Sequence, residues 1–105
     1  MEGIKVDIIE YVDDHQPGWV KCLFIDAEGS EWSIIEKVPI VSQENLNSES
    51  KYPIVGYIAG KISNKRLDNN FKEIATIDLS TPWGISEESG RTIFDIFCDS
   101  IIKIA

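Results

Sequence analysis

Apolar and polar side chains alternate along most of this chain with the two-residue period of a strand, not the 3.6-residue period of a helix. Ile4, Val6, Ile8 and Val12 fall on one face of a first strand, with Glu10 interrupting it and Lys5, Asp7, Ile9 and Tyr11 opposite. The turn formers Asp13-Asp14-His15-Gln16-Pro17-Gly18 then break the run. A second strand from Trp19 to Ile25 places Val20, Cys22 and Phe24 together. Asp26-Ala27-Glu28-Gly29 reads as a hairpin turn with glycine at the left-handed position, and Ser30 to Val38 as the returning strand. Pro39 has no N–H to give to a ladder and should end that strand.

Residues Ser42 to Pro53 are polar apart from Leu46 and Tyr52, and predict a loop with one helical turn capped by Ser42. Ile54 to Ser63 reads as a single strand in which Gly56 and Gly60 mark a bulge or a sharp bend. A further strand runs from Phe71 to Leu79 and stops at Ser80-Thr81-Pro82-Trp83-Gly84. The last stretch carries two periods at once. Phe94, Ile96 and Cys98 share a strand face, whereas Ile93, Phe97, Ile101 and Ile104 share a helical one. The expectation is a strand to about Phe97 followed by a short C-terminal helix. About six strands joined by short turns predict a mainly β fold, a small antiparallel barrel or sandwich, with α+β as the alternative.

With 105 residues there is room for one domain and one core. No apolar run reaches the ~20 residues that a membrane-spanning helix needs. Nor does Met1 to Asp7 resemble a secretory signal, so a cytoplasmic location is expected. Cys22 and Cys98 lie far apart in apolar segments, as buried free thiols would.

Charge changes the functional picture more than the fold. Eighteen acidic against ten basic residues give a formal net charge of −8, which disfavours duplex nucleic acid as a partner. Nine of the acids fall in residues 1–40, against only Lys5, Lys21 and Lys37. That half could present an acidic surface to a basic protein, or the charge could serve solubility alone.

Candidate chemistry is sparse. The single histidine, His15, sits beside Asp13 and Asp14, but contiguous residues cannot all converge on one ion. No glycine-rich phosphate loop is present, and one histidine with isolated cysteines gives no nucleophile–base pair. Asp78 and Asp95 are the acids expected to be partly buried, as acceptors for loop or turn N–H groups. Lys61, Lys65, Arg66 and Lys72, near Tyr57 and Phe71, form a basic cluster that could bind single-stranded nucleic acid or simply guard a sheet edge.

The segments Pro17-Gly18-Trp19-Val20-Lys21-Cys22, Asp26-Ala27-Glu28-Gly29, Glu36-Lys37-Val38-Pro39 and Thr81-Pro82-Trp83-Gly84 resemble the pattern of a small, largely uncharacterised group of bacterial β proteins. That resemblance implies a fold and carries no site residues with it. In size and charge the chain is also similar to the immunity proteins of polymorphic toxin systems. The functional expectation is a non-catalytic, cofactor-free binding protein whose Asp13, Asp14, Trp19, Asp26, Glu28 and Glu31 meet a basic partner such as a toxin. The alternative is a structural domain that self-associates as a homodimer; a small carboxylate enzyme is a third reading.

Overall fold

A computed structural model describes residues 1–15 and 17–104. Gln16, inside the predicted turn, and Ala105, the end of the tail, lie outside the described residues. Among the described residues the fold is mainly β: eight strands in two antiparallel sheets, with one four-residue helix. The strands are β1 (Glu2–Asp13), β2 (Trp19–Ile25), β3 (Glu31–Lys37), β4 (Ile54–Ala59), β5 (Lys61–Leu67), β6 (Glu73–Asp78), β7 (Ile93–Phe97) and β8 (Ile101–Lys103), and the helix is α1 (Val38–Val41). The first sheet has the order β3-β2-β1-β4, with β8 also on β1; the second has the order β5-β6-β7. The described strands do not close into a barrel.

The inner faces of both sheets share one core. Ile4, Val6, Ile8, Val20, Cys22, Phe24, Ile34 and Ile58 come from the first sheet, and Ile77, Phe94 and Ile96 from the second. Phe94 is the joint between them, edge-on to Phe24 at 5.0 Å and to Trp32 at 5.1 Å between ring centroids.

The β2–β3 hairpin forms as its sequence predicts. Val20, Cys22 and Phe24 are buried, and Gly29 takes a positive φ of 85° in the turn. Four expectations are corrected. In β1 the register slips between Ile8 and Glu10, so the inward phase passes to Tyr11, which packs on the core, and Val12 turns out to solvent. The helical turn precedes Ser42 instead of following it. Pro39 fits the first turn of α1, and Ser42 Oγ accepts the Glu44 N–H in the bend beyond.

The single strand expected over Ile54–Ser63 is two, one in each sheet, with Gly60 at the corner between them. A Cβ there would sit 2.5 Å from Ile77 Cγ1, so the two sheets approach as closely as they do only around glycine. Finally, no C-terminal helix forms among the described residues. The chain makes one 3-10 turn, Cys98–Ser100, and returns as β8 along Glu2–Ile4 of β1. The β-branched Ile101 and Ile102 suit a strand, and β2 leaves that stretch of the β1 edge free for them.

Candidate functional site

The hairpin that carries the predicted contact residues does not bring them together. Trp19 lies at one end of β2, opposite Asp13 on β1 and Lys37 on β3; Ile25, at the other end, lies opposite Glu31. Six strand steps of about 3.3 Å separate these ends by roughly 20 Å. Asp13, Asp14 and Trp19 therefore form one group, and Asp26, Glu28 and Glu31 another.

Within each group the carboxylates differ in what they can offer. Asp13 accepts the His15 backbone N–H at 2.8 Å and pairs with its ring Nδ1. Those backbone and ring bonds hold its carboxyl below the usual carboxylate range. Asp14, Glu28 and Glu31 are exposed. Asp26 is not: it is 6% exposed, and its carboxylate closes the turn from within. Oδ1 accepts the N–H groups of Glu28 and Ser30, both at 2.9 Å, and Oδ2 accepts Trp32 Nε1 at 2.8 Å. Burial alone would push this carboxyl up, but the bonds from Trp32, Ser30 and Glu28, with the Arg91 charge nearby, hold it below its ordinary value. Asp26 is thus committed to the fold and is not free to meet a partner.

The same arrangement recurs elsewhere. Asp68 accepts the N–H groups of Asn70 and Lys72, each at 2.8 Å, and Asp78 accepts Ser80 N–H at 3.0 Å and its hydroxyl at 2.7 Å. The buried Glu87 takes the Ser89 and Arg91 N–H groups at 2.9 and 3.1 Å, and the Ser89 hydroxyl as well. Asp95, on β7, accepts Thr76 Oγ1 at 2.9 Å and pairs with Arg66 at 2.9 Å. Much of the acidity of this chain is turn and strand chemistry. Among the described residues no cluster of three or more His, Cys, Asp or Glu could hold a metal ion.

The basic cluster is likewise partly engaged. Arg66 is tied to Asp95, and Lys72 Nζ lies 5.1 Å from the centroid of the Phe97 ring. Lys61, Lys65 and Arg66 belong to β5, one of the two edge strands of its sheet, where lysine discourages further strand pairing.

A surface that the sequence reading missed is the outer face of the first sheet. Directly paired residues project to the same side, so the ladders place its side chains in rows. One row runs Lys37–Trp19–Asp13, the next Ile35–Lys21–Glu10, the next Ser33–Leu23–Asp7–Val55. In the last, Ile25 lies opposite Glu31, and Lys5 opposite Tyr57. Around the half-buried Leu23, the aliphatic chains of Ile25, Ile35 and Val55 are 59%, 38% and 64% exposed. Trp19 is half-buried at the margin, with Lys37 Nζ 5.5 Å from its ring centroid.

Between the end of the β1–β2 ladder at Asp7 and the start of the β1–β8 ladder at Ile4, an open groove of about 220 Å³ sinks to Ile96. Lys5, Ile25 and Glu31 stand at its walls. One signal for this face was present in the sequence. From Trp19 to Ile25, six residues of seven are apolar, so β2 is apolar on both sides.

No family model matches the chain, no curated protein matches it, and no solved structure matches it.

Proposed function

We propose that this chain is a non-catalytic protein-binding domain of sandwich-like build, which docks through the outer face of its five-stranded sheet. The observation that carries this reading is the set of exposed aliphatic side chains Ile25, Ile35 and Val55, gathered around Leu23 and bordered by Trp19 and charged residues. Exposed aliphatic side chains interleaved with charge on one sheet face are a surface that a partner can cover. Three of the expected contact residues, Asp13, Trp19 and Glu31, lie on this face.

The proposal extends to an immunity-type inhibitor in the cytoplasm, consistent with the size and acidity of the chain. In that form Asp13 and Asp14 at one margin, and Glu28 and Glu31 at the other, steer a basic partner. Trp19 then provides the aromatic anchor. Asp26 drops out of the contact set because its carboxylate is spent within the turn.

The test is affinity capture from cells of the protein's source with the tagged wild-type chain and an Ile25→Glu/Val55→Glu variant, eluted by salt and identified by mass spectrometry. A stoichiometric partner held by the wild type and lost by the variant is the expected result. Equal capture by both would remove this face from the function.

A further inference from the structure

Resting on that reading, we infer that the protein which covers this face is a second copy of the same chain. The argument is the charge order along the rows. A two-fold axis lying in the face and running across the strands exchanges the first row with the last. It sets Lys37 of one copy against Glu31 of the other, Asp13 against Lys5, and Trp19 against Ile25. Two ion pairs and one aromatic–aliphatic contact thus form on each side of the axis, and each is made twice, as an isologous interface requires.

Trp19 then arrives at the mouth of the 220 Å³ groove that Ile25, Lys5 and Glu31 border, which supplies a recess for the anchor. In the two central rows Glu10 meets Asp7 as a like charge, Lys21 lies over Leu23 and Ile35 over Ser33.

The net charge of the face supports the same occupant. It holds Asp7, Glu10, Asp13 and Glu31 together with Lys5, Lys21 and Lys37, the only basic residues in the first forty positions. On the face itself four acids and three lysines nearly balance and are arranged to match their own image, whereas the excess acids that would steer a basic partner, Asp14 and Glu28, lie at its margins. Four strands about 4.8 Å apart and about 20 Å long give a footprint of roughly 400 Å² on each copy, below the size of standard specific interfaces, so a weak dimer is expected.

The experiment is light scattering and sedimentation equilibrium over a concentration series of the full chain. The wild type should approach twice the 11.8 kDa chain mass. Lys37→Glu should raise the dissociation constant by about 10-fold or more, and adding Glu31→Lys in the same chain should restore it to within about 3-fold. These two side chains sit at opposite ends of β3, so a rescue reports a contact between copies and not one within a chain. Both residues are exposed, and unchanged urea midpoints for the variants verify folding.

A wild type that stays monomeric to about 1 mM overturns the inference. The docking face itself would still stand if the Ile25→Glu/Val55→Glu variant lost a different captured protein. A dimer indifferent to Lys37→Glu assembles elsewhere and overturns the inference as well.

Discussion

Replacing Asp26 by alanine separates a structural carboxylate from a recognition one. The substitution removes three accepted hydrogen bonds, from Glu28 N–H, Ser30 N–H and the Trp32 indole. Hydrogen bonds to a charged group contribute about 1.5–3 kcal/mol each, but water recovers part of the two backbone bonds once the turn loosens. The Trp32 N–H, held against Phe94 and beneath the Arg91 guanidinium at 4.7 Å, is harder to rehydrate. A net loss of about 3 kcal/mol is expected, a large share of the 5–15 kcal/mol that domains of this size possess. At about 4–8 °C per kcal/mol the melting temperature should fall by roughly 12–24 °C.

Urea unfolding followed by tryptophan fluorescence measures it directly, with Glu28→Ala as the control. Glu28 is exposed at the tip of the same turn, and its loss should cost less than about 0.5 kcal/mol. If Asp26→Ala and Glu28→Ala behave alike, the internal role argued for Asp26 is wrong, and its carboxylate returns to the candidate contact surface.

Further outcomes follow from the same geometry. Gly3→Ala would place a Cβ 2.2 Å from the Ile58 carbonyl oxygen and 2.7 Å from Ile104 Cδ1, so a loss of about 3 kcal/mol is expected. Faster hydrogen exchange at Ile101–Lys103 should accompany it. The carboxyls of Asp13, Asp26, Asp78, Glu87 and Asp95 are held below their ordinary values. Their contribution is present above the unfolded-state values of about 4 and is lost as pH falls through the lowered native ones, so urea midpoints should drop steeply below pH 4. Glu36 has the opposite sign, since burial pushes its carboxyl up. Glu36→Gln should raise the urea midpoint at pH 7 and have no such effect at pH 3, where the carboxyl is already neutral. Burial also pushes the Cys22 thiol up to about 12, so a thiol reagent should modify Cys98 in the native protein and Cys22 only on unfolding.

Local elements were legible wherever a turn residue and an alternating pattern agreed, as in β2–β3 with its Asp-Ala-Glu-Gly turn. What alternation cannot encode is which sheet a strand joins. Ile58 and Ile62 keep the inward phase straight through Gly60, so a corner between two sheets reads as one strand. It cannot register an inserted residue either, and the slip after Ile8 exchanged the roles of Tyr11 and Val12. At the C-terminus the helical spacing of Phe97, Ile101 and Ile104 was coincidental. The deciding factor was a free length of β1 edge almost one hundred residues away, beside Gly3, where no Cβ blocks Ile104.

The site was less legible than the fold because charge counts do not reveal partners. Asp78-Leu79-Ser80, Glu87-Glu88-Ser89 and Asp68-Asn69-Asn70 share a spacing in which a carboxylate accepts the N–H two residues on, and that spacing was readable in advance. With Asp68 and Glu87 assigned to their turns beside Asp78, the −8 charge reads less as a docking surface and more as the by-product of short turns joining many strands. The unexplained feature is then the opposite one, the apolar side chains of β2 that face away from the core. A soluble sheet can carry Lys21 on its outer side at no cost, but Leu23 and Ile25 in the same register gain nothing there until something covers them. The acids shape the turns of this chain, and the exposed aliphatic residues are the feature that those turns leave unexplained.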